Sequence, residues 1–178
     1  MDIRPYCRHI HLLGLTLVRY TLEAQRTIDA AKSLSAAMGH SYVGADHLAI
    51  SLLRSRDTEA VCALKRLRVP VAELRRALSA ALPPRQAPGA DDRPMSPRLN
   101  QLFRRASALA GARDSGPIGT EDLLLALVQA DGSTREQVVS AIIAATNGSA
   151  YSCCVAADIL RTVGDIFRDR ETYPRAKA

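Results

Sequence analysis

Tyr42-Val43-Gly44-Ala45-Asp46-His47-Leu48-Ala49-Ile50-Ser51-Leu52-Leu53 returns later in the chain as Pro117-Ile118-Gly119-Thr120-Glu121-Asp122-Leu123-Leu124-Leu125-Ala126-Leu127-Val128. Each residue lies 75 positions after its counterpart, as with Gly44 and Gly119, Leu48 and Leu123, Leu52 and Leu127. The register continues upstream without a gap, where Thr21, Ile28, Ala31, Leu34 and Ala37 fall on Ser96, Phe103, Ala106, Leu109 and Ala112. An ungapped match through two helical turns and a glycine loop marks an internal duplication, and a duplication fixes what the structural unit is.

Working outward from that stretch, the spacing predicts helices throughout. Leu22, Ala24, Ile28, Ala31, Leu34 and Ala37 form a helical stripe closed by Gly39 as a left-handed stop. A loop over residues 40–44 leads to a second helix with Leu48, Leu52 and Leu53 inward. Asp57 is placed to cap a third, bearing Val61, Leu64 and Leu67, and Pro70 to open a fourth, with Val71, Leu74, Leu78 and Leu82. In the second copy Ser96-Pro97 reads as an N-cap followed by proline at the first helical position, Leu99, Leu102 and Phe103 continue the stripe, and Thr120 opens the next helix. Ser133 with Glu136 is a capping box ahead of Val138 and Ile142, and a last helix starts near Ala150. The expected fold class is all-α, with two sets of four helices and no strand pattern of useful length. The expected organisation is an N-terminal extension over 1–18 (an added strand or helix), a first repeat over 19–82, a proline-rich linker over 83–95, a second repeat over 96–166 and a charged tail over 167–178. Both repeats form one domain.

The 178 residues suffice for one domain or two small halves sharing a core. Aromatic residues make up 4% and tryptophan is absent, so the core must be built from Leu, Ala, Val and Ile, which suits closely packed helices. The net charge of +6 is carried almost wholly by arginine. It raises the alternative of a basic helical nucleic-acid-binding regulator, but pairs such as Arg75-Arg76 and Arg104-Arg105 are scattered among 18 acids and read as solvated surface. Cys7, Cys62, Cys153 and Cys154 show no metal-ligand spacing, and His9 and His11 lack partners spaced for a site, so no metal or cofactor is expected. Buried thiols fit a reducing cytoplasm. The apolar run from Ile10 to Val18 is broken by His11 and lacks a small-residue cleavage site, and no run approaches membrane-spanning length. There is no Gly-x-Ser-x-Gly elbow, and catalysis has no support.

Tyr20-Thr21 with Ala24, Ala31, Gly39-His40, Val43-Gly44 and His47-Leu48, followed by Ser96-Pro97, Ala106, Ile118-Gly119-Thr120-Glu121 and Leu123-Leu124-Leu125-Ala126-Leu127, resembles the paired Clp repeats of the N-terminal domain of Clp-family AAA+ unfoldases, most closely the ClpC type. The resemblance runs over roughly residues 19–165. It implies two pseudo-twofold-related four-helix repeats, and a role in receiving peptides, marked substrates or adaptors for an ATP-driven unfoldase and its protease. No glycine in the chain is followed by lysine, so the phosphate loop of an ATPase is missing and a non-catalytic receptor domain standing alone, as a monomer, is the expectation. The resemblance also admits a decoy for cyclic-peptide antibiotics that target such domains.

The candidate site is the repeated loop. Gly44-Ala45-Asp46 and Gly119-Thr120-Glu121 each deliver a helix N-terminus with an acid in its first turn. Unpaired backbone N–H groups and the helix dipole there attract an anion, and a neighbouring carboxylate can take a guanidinium through paired hydrogen bonds. Ordinary helix capping accounts for the same residues. By resemblance, Asp46 and Glu121 bind phosphoarginine, with Thr120 offering a hydroxyl. Ala45 and Asp46 stand where the family has Thr and Glu, shortening the reach in the first repeat, and Asp122 stands where the family has His. His47 is expected to be a hydrogen-bonded structural residue.

Overall fold

The computed structural model describes residues 12–13, 16–17, 19–66, 69–84, 93–112 and 116–130. A small antiparallel hairpin, β1 (Leu12–Leu13) and β2 (Thr16–Leu17), comes first. Six helices follow: α1 (Leu22–Met38), α2 (Ala45–Leu52), α3 (Glu59–Arg66), α4 (Val71–Ala81), α5 (Pro97–Ala112) and α6 (Thr120–Val128). The hairpin falls in the N-terminal extension. Two residues per strand are too few to leave an alternating pattern, which is why the sequence shows none. The helices read from Ser133 and from Ala150, the linker centre and the charged tail lie outside the described residues.

Local chemistry sets the ends of the helices. The Thr21 hydroxyl accepts from the Ala24 N–H at 3.2 Å, capping α1. At its other end Gly39 adopts φ 70°, and the N–H groups of Gly39 and His40 close on the carbonyls of Ala36 and Ser35 at 3.0 and 3.1 Å. Ser96 caps α5 as the sequence predicts, accepting from the Leu99 N–H at 3.1 Å. Two starts shift by one residue. Thr58, not Asp57, caps α3, its buried hydroxyl accepting from the Val61 N–H at 3.4 Å while Asp57 faces solvent. Pro70, with a non-helical ψ of 88°, is the N-cap of α4 rather than its first helical residue.

The duplication appears in space as a reciprocal exchange. The Thr21 N–H donates to the Ile118 carbonyl at 2.9 Å and the Ile118 N–H to the Arg19 carbonyl at 2.8 Å. The counterparts do the same with the halves swapped: Ser96 N–H to Val43 at 2.9 Å, and Val43 N–H to Pro94 at 3.0 Å. Each repeat therefore lends the segment before its first helix to the loop before the other repeat's second helix, as parallel bridges between Tyr20 and Ile118 and between Val43 and Met95. A twofold relation requires that pairing, since residue i meeting j obliges the equivalent of j to meet the equivalent of i.

The core lies where the second helices of both repeats meet. Leu48, Leu52, Leu123 and Leu127 are fully buried, joined by Ile28, Leu99 and Phe103 from the first helices. Tyr20 meets Phe103 edge-on with ring centroids 6.1 Å apart, and burial pushes the Tyr20 phenol up to about 12. Ala37 and Ala112 share the register but are exposed. At 1.5 Å per residue the 17-residue α1 outruns the 8-residue α2 by roughly 13 Å, so α2 is too short to cover the whole of it.

Candidate functional site

Each repeated loop ends in a glycine N-cap with extended backbone: Gly44 at φ −99°, ψ 169° and Gly119 at φ −94°, ψ 175°. Neither angle needs glycine, and what crowds each position is side chain rather than backbone. A Cβ on Gly44 would lie 3.3 Å from the Tyr42 ring and 3.4 Å from His47 Nδ1, and a Cβ on Gly119 would occupy the space taken by the Glu121 carboxylate. The side chain three residues into each helix reaches back to the glycine amide. His47 Nδ1 accepts from the Gly44 N–H at 3.0 Å, and Asp122 Oδ2 from the Gly119 N–H at 2.9 Å. This is the reach-back half of a capping box, made once with imidazole and once with carboxylate. Asp122 thus does in the second repeat what His47 does in the first. The third-position rule for helix starts was the signal that would have revealed it.

The four candidate residues divide by depth. Ala45 and Thr120, at the first helical positions, are buried, whereas Asp46 and Glu121, one residue on, are half-buried and reach the surface. The Thr120 hydroxyl faces inward across the repeat boundary, accepting from the Ala60 N–H in the first turn of α3 at 3.5 Å. Ala45, its counterpart, has no hydroxyl to do so. Asp46 and Ala45 sit at the tip of α2, and Glu121 and Thr120 at the tip of α6.

Through the reciprocal pairing, each tip lies beside the start of the other repeat's first helix. Arg98 in the first turn of α5 acts on Asp46 at the α2 tip, and its counterpart 75 residues earlier, in the first turn of α1, is Glu23. Burial raises the Asp46 carboxyl above its usual range, and the Arg98 guanidinium pulls it partly back. The tips are thus equivalent in backbone, while the register position that holds Arg98 in one repeat holds Glu23 in the other.

Behind the α2 tip sits a feature that sequence reasoning named only in part. His47 is hydrogen-bonded and structural, as expected, but its partner is a second buried imidazole: His47 Nε2 and His40 Nδ1 are 2.8 Å apart, with ring planes at 68°. The Arg93 guanidinium Nε donates to the His40 carbonyl at 2.6 Å, tying the loop to the segment before α5. Burial first, then the neighbouring His40, lowers His47 to about 4. Among the described residues no group of three or more His, Cys, Asp or Glu could hold a metal, and no helix is long and apolar enough to cross a membrane.

The geometry agrees with what comparison finds. The Clp repeat (R) N-terminal domain family matches residues 19–151. A probable ATP-dependent Clp protease ATP-binding subunit of Chlamydia pneumoniae is 27% identical over 124 residues; that match covers 68% of this chain but only 14% of the relative's length. The Hsp104 N-terminal domain from Candida albicans superposes with a TM-score of 0.64 at 18% identity, covering 84% of this chain and 91% of that one. A ClpV N-domain in complex with VipB peptide gives 0.57 at 18% identity, over 78% and 88% of the two chains. Reciprocal repeats, paired glycine-capped tips and a family match over most of its length together show that the chain belongs to the Clp N-terminal domain family.

Proposed function

We propose that this chain is a non-catalytic receptor module that captures peptides, marked substrates or adaptors for a Clp unfoldase and its protease. The observation that carries this reading is the pair of equivalent helix tips, each presenting a half-buried carboxylate, Asp46 or Glu121, beside a glycine N-cap. A ClpV N-domain of the same fold is seen in complex with VipB peptide, which supports peptide capture as a use of this fold. The finer reading is phosphoarginine, whose guanidinium suits a carboxylate and whose phosphate suits the positive end of a helix. The tips bind it unequally: Arg98 attracts the phosphate beside α2, and its register counterpart in the other repeat, Glu23, supplies no such charge. A free copy of such a module also serves as a decoy for cyclic peptides aimed at Clp N-domains.

Immobilising the full chain and passing over it a Clp unfoldase, its adaptors and phosphoarginine-bearing peptides tests the reading. Retention of at least one of these, lost in an Asp46→Asn/Glu121→Gln double variant, is the expected outcome. Failure to retain any, together with DNA retention that falls steeply as salt rises, would transfer the chain to the nucleic-acid-binding class.

A further inference from the structure

His40 and His47 are 4% and 3% exposed, and their hydrogen bonds admit only one arrangement of protons. His47 Nδ1 accepts from the Gly44 N–H, so it carries no hydrogen and the proton of the neutral ring sits on Nε2. That Nε2–H points at His40 Nδ1, which must be the acceptor. The His40 proton therefore sits on its own Nε2, a buried atom with no hydrogen-bond partner among the described residues. Neither ring can gain a proton and keep these contacts. Protonating His47 sets two N–H groups facing each other at Gly44, and protonating His40 does the same between the rings.

We propose that the histidine couple is an acid-sensitive latch on the first-repeat loop, closed only while both imidazoles are neutral, and that the second-repeat loop, held by the Asp122 carboxylate, lacks this response. Opening the latch frees the Gly44 amide and the backbone that carries Tyr42, Ala45 and Asp46, so acid weakens one tip and spares the other.

Among the described residues, the groups packed against the couple offer little to stabilise an added charge. The buried face of α1 presents Ala24, Thr27, Ile28 and Ser35, whose hydroxyl bonds the Tyr42 carbonyl at 2.8 Å. The buried faces of α4 and α5 are apolar, and Asp122 of α6 is engaged at Gly119. Arg93, held at the His40 carbonyl, adds a positive charge on the same side. Asp46, next to His47 on α2, faces Arg98. The depressed His47 ionisation agrees with this inventory.

The test is an NMR titration of the full, nitrogen-15-labelled chain from pH 7.5 to 4. Expected are Nε2–H tautomers for both rings at neutral pH, a His47 midpoint at least about one unit below the ordinary 6.5, and a Gly44 amide that shifts with it while Gly119 stays still. His47→Asn supplies an acceptor that does not titrate and should abolish the Gly44 response. If that variant does not fold, His40→Gln should raise the His47 midpoint, because the amide oxygen still accepts from His47 Nε2–H while the lowering effect of the second ring is gone. A His47 midpoint near 6.5, Gly44 and Gly119 moving together, or a Gly44 response that survives His47→Asn would each overturn the proposal.

Discussion

Leu123→Ala and Leu48→Ala will each lower the unfolding free energy by about 2–5 kcal/mol. Both side chains are fully buried, both occupy the same position in their repeat, and both fill the space where α2 and α6 meet. Truncation loses the transfer energy of the removed carbons and leaves a cavity that packed helices only partly close. Because the repeats share one core, either variant should unfold in one cooperative transition at a lower urea midpoint, with the slope unchanged. Tyr42→Ala is the control: its ring is 47% exposed, so its removal should cost well under 1 kcal/mol by the usual behaviour of surface sites. A large loss for one leucine and almost none for the other, or two separated transitions, would mean that the halves fold as independent units.

Acid will remove about 3 kcal/mol of stability between pH 6.5 and pH 4. The folded protein holds His47 at about 4, below the 6.5 of an unfolded chain, so the unfolded state binds the proton first. The contribution is therefore complete above pH 6.5, declines as pH falls through the interval, and is gone below about 4. In His47→Asn this component of the slope disappears, leaving only the acid loss shared by other groups. Chemical denaturation at half-unit pH steps measures it, and an unchanged slope in the variant would show that another residue carries the effect.

The sequence makes the fold legible because duplication is a long-range signal. A constant offset of 75 residues says which positions are equivalent, and equivalence with a shared core implies the exchange seen between Tyr20 and Ile118 and between Met95 and Val43. Helix ends written in local chemistry, such as Gly39 and Ser96-Pro97, are readable for the same reason that they work: the cap is adjacent to what it caps. Asp57 and Thr58 show the limit, because both are competent caps and only burial against the core selects Thr58. The site is half legible. Spacing along α6 puts Thr120 and Glu121 in its first turn, but it cannot show that the Thr120 hydroxyl turns inward to α3, 60 residues away in the chain. The histidine couple is hidden likewise, since His40 belongs to a loop whose path is set by Gly39 and by the bond from Arg93 near the end of the linker.

Titrating the labelled full chain with phosphoarginine tests the paired tips most directly. Saturable amide shifts confined to residues 44–47 and 119–122 are expected, with Arg98→Ala weakening only the first set and Glu121→Gln only the second. Each loss should be about tenfold or more, as for one charge-assisted hydrogen bond. An absence of shifts at both tips, or shifts centred on a surface remote from Gly44 and Gly119, would contradict binding at the tips.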